Sequence, residues 1–521
     1  MLCFRSFCKD QRGNFAMLFA LAMVPLFGIV GAAIDYSRAS EVRAKLSEAL
    51  DAGVLAVGSQ PKMSDADAFK IVDDWVAAHL GPAYDGDWHL NSVKVGDDGT
   101  ILASASGGID TMMGRLLGVD EISIGTTSEA VRSMGKVEVA LVLDNTGSMK
   151  GRKLTKLKEA AHALVDELVE ATEDPEDLRI ALVPFSQTVN VGATNKGAAW
   201  MDTGARSSIH DDIFTKDDGT THAGTNRFTL FDNMQVAWGG CVESRPTPYD
   251  VEEAPPTAGQ PDTLYVPYFA PDEPGKRHKD GGSDDYNNSY LDDDSSDKKW
   301  RGKQGNPAKY ATTFSELSDR TDLLDYKYGP NSGCELQEII RLTEDVAENS
   351  VKKVEDAIDD MVAIGNTHIN IGLQWGWHAL SPNAPFGDGV AYDDGEWRKV
   401  VVLMTDGNNQ NTNTDSDNKN DSVYSGYGYI WQNRFGNLGS GSSESARTTA
   451  LDDRLALLCE NMKKDKITLY SVRVEVRDGS STVLKNCASS ADNFKEVADI
   501  SQLKTEFMEI AGSIQALRLS K

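Results

Sequence analysis

Three apolar runs constrain the fold of this chain more than any other feature of its sequence. KVEVALVLD (Lys136–Asp144) and KVVVLMTD (Lys399–Asp406) both end on an aspartate, and RIALVPF (Arg179–Phe185) lies between them along the chain. Near-continuous apolar runs of this length are typical of strands buried on both faces of a parallel sheet. Apolar residues at helical spacing over 154–168 and 351–362 predict amphipathic helices between the runs. The alternation predicts an α/β fold with a doubly wound, mostly parallel sheet and helices on both faces.

The polar residues at the ends of the strands predict a metal site. Ligands of parallel sheets gather at the carboxyl ends of the strands, where Asp144 and Asp406 are both expected. Thr146 and Ser148 come after the first aspartate, and a GNT segment ending at Thr367 precedes the last run. Two carboxylates and three hydroxyls suit a hard divalent cation, Mg²⁺ being the expected ion and Mn²⁺ or Ca²⁺ the alternatives. An ordinary exit from strand to turn is the competing interpretation of DNTGSMKG.

The same motifs resemble those of von Willebrand factor type A (VWA) domains, whose sheet is Rossmann-like. DNTGS resembles the D-x-S-x-S motif of that family, with Thr146 in place of the first serine. GNT and TDG resemble the family's later threonine and aspartate elements, in the same order. The resemblance implies that five residues form a metal-ion-dependent adhesion site (MIDAS): Asp144, Thr146, Ser148, Thr367 and Asp406. Because two aspartates carry at most −2, a cation there would accept a further carboxylate from a protein partner.

The resemblance implies a VWA domain over residues 136–516, interrupted by a large insertion at about 193–333. The inserted region is rich in Asp, Gly, Asn, Pro and Tyr, and it is longer than an ordinary loop. We therefore expect an inserted subdomain with a disordered acidic segment at Asp280–Lys299. That segment lacks the ordered ligand spacing of a calcium loop, which favours a solvated loop. The candidates for the small core of the subdomain are aromatic: Trp200, Phe231, Trp238 and Tyr268.

The N-terminal region predicts a membrane anchor. Basic residues in the first fourteen positions precede an uncharged stretch of about 20 residues, Phe15–Ile34, which is the length needed to cross a bilayer as a helix. The positive-inside rule then makes residues 1–14 cytoplasmic, residues 15–35 a transmembrane helix and the remainder periplasmic. A cleaved signal peptide is the alternative, since the small residues at 31–33 would suit processing.

Residues 36–132 predict a small α+β module built on the continuation of the N-terminal helix. Ser64 is a helix-start signal, and alternating residues in WHLNSVKV, ILASASG and EISIGTTSEAV predict strands. The stretch RGNFAMLFALAMVPLFGIVGAAIDYSR resembles the start of TadE/TadG-type proteins of the tight-adherence (Flp) pilus machinery. MMGRLLGVDEISIGTTSEAV is similar to the next region of the TadG-like members. Prepilin processing at Gly13 would call for a glutamate where Leu18 stands, so we expect an assembly or anchoring role.

The cysteines are consistent with export. Cys3 and Cys8 precede the predicted span, whereas four cysteines come after it, in a compartment where disulfides can form. Of the three pairings, we favour Cys241–Cys334, which would close the inserted segment, and Cys459–Cys487, which would join two late elements. Free buried thiols are the alternative. None of the spacings is CxxC-like, which argues against a zinc site.

The charge of the chain and the chemistry of its motifs limit the classes of function that we expect. The formal net charge is −28, with 80 acidic residues against 52 basic ones, and such a surface would repel nucleic acid. If Asp144 were the phosphoryl acceptor of an enzyme, a second acid would be expected at the position of Thr146. The best candidate for a general base is His368. A metal site that docks a partner's acid is the simpler interpretation, so we expect no catalysis.

The sequence therefore predicts a single-pass protein of the bacterial inner membrane with a periplasmic VWA domain. Through a divalent cation this domain would bind a protein partner, in Flp pilus assembly or in surface attachment. Two alternatives stay open: a secreted or surface-released adhesin, and a metal-dependent hydrolase.

Overall fold

A computed structural model of the chain describes most of its residues. They are 12–58, 60, 63–81, 84, 86–96, 100–131, 135–275, 288–293, 296–311, 328–414, 417–436, 438–475 and 482–519. The chain divides into two compact units, Met1–Met134 with Gln515–Lys521, and Gly135–Ile514. The first basic residues, Cys3 and Cys8, and positions 280–287 and 294–295 of the predicted acidic segment lie outside the described residues.

The first unit combines two helices with an antiparallel sheet. Helix α1 (Arg12–Gly58) is followed by α2 (Asp65–Leu80) and by the strands β1 (Asp87–Val95), β2 (Thr100–Asp110) and β3 (Glu121–Val131). The sheet has the order β1-β2-β3, and both pairings are antiparallel. As predicted, the side chain of Ser64 caps α2 by accepting a hydrogen bond from the backbone N–H of Asp67. The predicted small α+β module is thus confirmed, and the structure shows that its sheet is antiparallel.

Helix α1 has an exposed half and a buried half. Leu21 and Ile29 are 77% and 69% exposed, whereas Leu46 and Leu50 are fully buried in the core of this unit. Within the described part of the chain, Leu18–Gly58 is the one helix long and apolar enough to cross a membrane. The first half of α1 therefore offers an apolar surface, and the second half anchors the module.

The second unit is built on a sheet of five parallel strands, counted in the described residues. The strands of this unit are β4 (Lys136–Asp144), β5 (Leu178–Phe185), β6 (Val189–Asn190), β7 (Cys241–Val242), β8 (Trp397–Thr405), β9 (Ile467–Val474) and β10 (Phe494–Val497). The order in the parallel sheet is β10-β9-β8-β4-β5, and β6 and β7 form a separate antiparallel pair. Every residue of β4 from Val137 onward is buried, because both faces of the sheet are covered. The predicted α/β fold with a parallel sheet is confirmed.

Helices connect and cover these strands. They are α3 (Arg152–Glu170), α4 (Arg227–Met234), α5 (Trp300–Gly305), α6 (Glu348–Asp360), α7 (Ile369–Leu380), α8 (Glu444–Lys464), α9 (Thr482–Cys487) and α10 (Leu503–Leu519). All residues of α7 are buried, so this helix is internal to the unit. The predicted helices at 154–168 and 351–362 correspond to α3 and α6, although α6 ends at Asp360.

The described part of the insertion does not have a small core of its own, which corrects that expectation. The four aromatic residues proposed for such a core are buried, but they belong to one hydrophobic cluster with the sheet residues Val142 and Val183. The sheet offers an apolar surface that the insertion covers, and one continuous core buries more apolar area than two small ones.

Two disulfides join the predicted cysteine pairs. Cys241–Cys334 connects β7 to the end of the insertion, with 5.8 Å between the Cα atoms. Cys459–Cys487 connects α8 to α9, with 5.1 Å between the Cα atoms. The preferred pairing is therefore confirmed, and free thiols at these positions are excluded. Both bonds fix segments that lie far apart along the chain, which limits the conformations of the unfolded state.

Close contact between α7 and the sheet depends on glycine. A Cβ atom added at Gly372 would lie 2.4 Å from the ring of Phe185 on β5, and one at Gly376 would lie 2.4 Å from Cγ2 of Val142 on β4. Real Cβ atoms do not approach so closely, so larger residues would push the helix away from the sheet. The two glycines therefore set the position of α7, which begins two residues after Thr367.

Replacing Gly372 with Ala should lower the free energy of unfolding of the second unit by about 1–3 kcal/mol, because the methyl group overpacks a filled core. The matched control is Gly512→Ala in α10, where an added Cβ would meet no atom within 4 Å. That change should stabilise the chain by up to about 1 kcal/mol through helix propensity. Urea unfolding of both variants measures the difference, and equal effects would contradict the packing argument.

Candidate metal centre

The parallel pairing of β4 with β8 brings the two predicted aspartates to one edge of the sheet. In that register Leu143 lies opposite Met404, so Asp144 comes next to the end of β8 at Thr405, and Asp406 is the next residue. Parallel strands end at the same edge, which is why residues far apart in the sequence meet here. Asp144 is fully buried and Asp406 is 6% exposed.

A chain of hydrogen bonds connects four of the predicted residues. The carboxylate of Asp144 accepts from the Thr405 hydroxyl (2.7 Å) and from the backbone N–H of Thr146 (2.8 Å). Oγ1 of Thr146 lies 2.9 Å from Oγ of Ser148, which donates to Oδ1 of Asp406 at 2.7 Å. Ser148 is exposed whereas Thr146 is buried, so one side of this group of oxygen atoms faces solvent.

Thr367 lies beside this group. Its loop contacts the loop after β4, because the backbone N–H of Gly147 donates to the carbonyl of Gly365 at 2.9 Å. The carbonyl of Thr367 accepts from the N–H of Gln410, and a Cβ atom added at Gly407 would lie 3.6 Å from Oγ1 of Thr367. The hydroxyl therefore lies next to the residue after Asp406. All five predicted residues thus lie at one edge, and their role as metal ligands stays a prediction.

Two residues at the centre were not in the predicted set. Lys153, in the first turn of α3, places Nζ 2.6 Å from Oδ2 of Asp406, whose side chain is fully buried. Thr405 orients Asp144 through the hydrogen bond described above. The sequence motifs single out ligand positions, whereas these two residues orient the ligands. One sequence signal could have identified Lys153. It lies five residues after Ser148, at the start of the helix that begins at the same edge of the sheet.

Burial and charge both act on Asp144. Burial, together with the smaller effect of the negative charge of Asp406, raises the pKa of Asp144 to about 6 from its ordinary value of 3.8, although hydrogen bonds from Thr146 and Thr405 lower it in part. A bound cation would reverse this effect, since it stabilises the ionised carboxylate. Two carboxylates that lie close together at a buried edge raise the free energy of the folded state unless a positive charge is nearby. Lys153 supplies that charge to Asp406.

The donor set fits a hard divalent cation. Asp144 and Asp406 offer carboxylate oxygens, and Thr146, Ser148 and Thr367 offer hydroxyls, which are the ligand types that Mg²⁺ and Mn²⁺ accept. Within the described residues, no three His, Cys, Asp or Glu side chains form a metal cluster, so zinc-type ligation is not available there. The expected coordination of the cation therefore depends on two carboxylates and on neutral hydroxyl oxygens.

His368 does not take up the position of a general base. Its ring is fully buried and lies 5.4 Å from the ring of Tyr427, measured between centroids. Burial lowers its pKa to about 4, and the nearby backbone of Gln410 offsets this effect only in part. A base must contact the proton that it removes. The observed packing is that of a core histidine.

Family comparisons agree with the geometry. Residues 138–234 match the family model described as von Willebrand factor type A domain, and this stretch contains β4, Asp144, Thr146 and Ser148. The chain contains a VWA domain. Residues 13–60 match the Flp pilus-assembly TadE/G-like model, so the VWA domain comes after a TadE/G-like N-terminal region. That region and the apolar half of α1 indicate membrane anchoring or a location in the cell envelope. No curated protein sequence matches the chain.

Solved structures similar to the chain include two pilus proteins and a protein described as von Willebrand factor type A. The pilus adhesin SpaC of Lactobacillus rhamnosus GG is 10% identical with a TM-score of 0.32, and the match covers 84% of this chain and 34% of SpaC. The PilB minor pilin of Streptococcus sanguinis is 11% identical (TM-score 0.30; 83% of this chain, 79% of PilB). A VWA protein of Catenulispora acidiphila is 10% identical (TM-score 0.29; 83% and 50%). The chain thus spans about a third of the length of SpaC.

In the absence of divalent cations, the second unit should lose stability as the pH rises from about 4 to 6. Because the folded pKa of Asp144 lies above its unfolded value, the native state holds the proton more tightly. The resulting stabilisation is complete below about pH 4 and is lost as the pH passes 6. Asp144→Asn does not titrate and serves as the reference. The difference in unfolding free energy between wild type and variant should change by up to about 3 kcal/mol between pH 4 and 7. Urea unfolding in EDTA measures it, and a constant difference would contradict the assignment.

Proposed function

We propose that this chain is a membrane-anchored, periplasm-facing VWA protein that binds a divalent cation and, through it, a protein partner of the Flp pilus machinery or of the surface. The observation that carries the proposal is the hydrogen-bonded series from Asp144 through Thr146 and Ser148 to Asp406. Residues from both sides of the large insertion converge in it, on a buried edge that opens to solvent at Ser148.

Five side chains would hold the cation: Asp144, Thr146, Ser148, Thr367 and Asp406. When bound, the ion would supply a centre of positive charge able to accept a carboxylate from outside the chain. The chain contributes orientation, since Thr405 and the N–H of Thr146 hold the Asp144 carboxylate in place. Because the chain supplies a charge of at most −2, binding of a further anionic ligand to the cation would be favourable.

Three observations support a periplasmic location of the VWA domain. The apolar half of α1 is long enough to span a bilayer, and basic residues precede it in the sequence. The two disulfides of the second unit suit an oxidising compartment such as the periplasm. The TadE/G-like region supports a setting in pilus assembly. An inner-membrane anchor with the VWA domain in the periplasm accounts for all three.

We further propose that the function is binding and not catalysis. The site offers two carboxylates and hydroxyl groups that would hold a cation, whereas the adjacent His368 is buried against Tyr427. A hydrolase would need a base that reaches a water molecule or a substrate.

Asp144→Ala and Asp406→Ala should each weaken Mn²⁺ binding by at least about tenfold, since each removes one of two carboxylates. Isothermal titration of the purified full chain in detergent measures the affinity for Mn²⁺ and Mg²⁺. Asp453→Ala, at an exposed position of α8, is the matched control and should bind as wild type does. Unchanged titrations in both site variants would refute the metal assignment.

Lys153→Met should strengthen Mn²⁺ binding by about tenfold or more, because the ammonium group competes with the cation for Asp406 and repels it. The methionine keeps the apolar stem. Lys156→Met is the control, as Lys156 lies on the same helix but pairs with Glu159. An affinity equal to that of wild type would show that Lys153 does not oppose the cation.

A further inference from the structure

The loop between β2 and β3 in the first unit exposes apolar side chains to solvent. We call it the β2–β3 loop and define it as residues 111–120, which lie between the two strands. Met112 is 66% exposed and Val119 is 49% exposed. Single exposed apolar residues are common on soluble proteins, so their exposure alone does not indicate a binding surface. What distinguishes this loop is its contact with the apolar half of α1.

The carboxylate of Asp35 on α1 holds the β2–β3 loop against the helix. Its Oδ1 accepts from the backbone N–H of Met112 at 2.9 Å. Its Oδ2 accepts from the backbone N–H groups of Met113 (2.9 Å) and Gly114 (2.8 Å). Asp35 is only 3% exposed. Hydrogen bonds to a carboxylate are stronger than those between neutral groups, so three of them fix the loop at this level of the helix.

Gly31 allows the loop to approach α1 closely one turn earlier. A Cβ atom added at Gly31 would lie 2.5 Å from Cβ of Met113 and 3.0 Å from its Cγ, which is closer than real Cβ atoms come. Because Gly31 and Asp35 are four residues apart, they lie on the same face of α1. The β2–β3 loop therefore packs on the last turn of the uncharged stretch Phe15–Ile34.

Hydrogen bonds within the β2–β3 loop satisfy part of its backbone. The loop contains a 3₁₀ turn at Gly114–Leu117. The N–H of Gly118 donates to the carbonyl of Arg115 at 3.2 Å. The N–H of Val119 donates to the carbonyl of Gly114 at 3.0 Å. Unpaired backbone groups are strongly disfavoured in apolar surroundings, so these bonds and those to Asp35 suit the loop to a membrane surface.

The level of this contact corresponds to the boundary of the predicted membrane span. An α-helix rises about 1.5 Å per residue, so a span of about 20 residues matches a hydrocarbon core of about 30 Å. Gly31 comes three residues, or about 4.5 Å, before the end of the uncharged stretch at Ile34. On α1 itself Ile34 is 48% exposed and Tyr36 is 73% exposed, and tyrosine is typical of membrane interfaces. The loop thus reaches the level of the bilayer interface.

We propose that the β2–β3 loop is a second membrane contact, which places Met112 and Val119 in the periplasmic leaflet where headgroups meet acyl chains. This inference rests on the proposed membrane anchor and adds to it. The occupant is lipid, because the loop packs directly on the part of α1 that the bilayer would surround. A single helix can tilt in a bilayer, whereas a second contact beside it limits the tilt of the first unit.

The charges around the loop indicate which lipid it suits. Asp110, Asp120 and Glu121, at the ends of β2 and β3, are acidic and exposed. They would be repelled by an anionic headgroup. Arg115 pairs with Asp110 at 2.9 Å, and its side chain is 54% exposed. Apolar burial is therefore the driving force that we expect, and the contact should form in a bilayer of neutral phosphatidylcholine.

The test measures the depth of single fluorescent labels on the full chain in phosphatidylcholine vesicles. Cys3→Ser and Cys8→Ser remove the two cysteines before the predicted span, and the other four cysteines form disulfides. One cysteine is then introduced by Met112→Cys, by Val119→Cys or at a control position, and it is labelled with the fluorophore NBD. Phosphatidylcholine that carries a spin label on its acyl chain quenches labels in the bilayer, and iodide quenches labels in water.

Leu55→Cys is the matched control. Leu55 is 64% exposed, close to the value for Met112, but it lies 20 residues, or about 30 Å, beyond Asp35 on α1. The lipid quencher should lower the emission of the Met112→Cys and Val119→Cys labels at least about twofold more than that of the control. Iodide should have the opposite order of effects.

Two results would overturn the proposal. The first is equal quenching of the Met112→Cys and Leu55→Cys labels by both agents, which would place the loop in water. The second is a Met112→Cys label that neither agent quenches, because a protein surface, such as that of a second copy of the chain, would then cover the loop.

A substitution on α1 tests how the loop is placed. Gly31→Leu keeps the span apolar but should push the loop away from the helix, so lipid quenching of the Val119→Cys label should fall at least about twofold. Ala33→Leu is the control, since it adds the same bulk at an exposed position of the same turn and should leave the quenching unchanged. Wild-type quenching in Gly31→Leu would refute the role of α1 in placing the loop.

The anchor and the loop contact can fail separately. A label at Leu21→Cys, in the exposed half of α1, reports whether the helix lies in the bilayer. Lipid quenching of this label without lipid quenching of the Met112→Cys label refutes only the loop contact. A Leu21→Cys label that iodide quenches and lipid does not refutes the membrane anchor, and the loop contact with it.

Discussion

The parallel pairing of β4 with β8 is the constraint on which the candidate centre depends. It places Asp144 beside the end of β8, directly before Asp406, although more than 250 residues separate the two acids along the chain. Burial disfavours the charge of Asp144, and the negative charge of Asp406 adds a smaller effect, so the pKa of Asp144 is raised. The surrounding groups offset that cost: Thr405 and the N–H of Thr146 hold one acid, and Ser148 and Lys153 hold the other. A divalent cation would replace Lys153 as the positive group beside Asp406, and it would carry twice the charge of the lysine.

The insertion belongs physically to the domain that it interrupts. Its aromatic residues share one core with the sheet, and Cys241–Cys334 ties its end back to β7. Gln187 then bridges between insertion residues and the loop of Thr367. As a result, the insertion borders the candidate metal centre and shapes the surface that a partner would meet.

The sequence by itself determined the parallel sheet, the long N-terminal helix and the small α+β module, because period and apolar runs are local signals. It favoured the observed disulfide pairs among three possible pairings, and the structure decided between them. It also identified the ends of β4 and β8 as the place where Asp144 and Asp406 would meet. Only the tertiary structure placed Lys153 on Asp406 and merged the insertion with the main core. These features depend on contacts between residues that are distant in the sequence and carry no periodic pattern, so they emerge only when the chain packs.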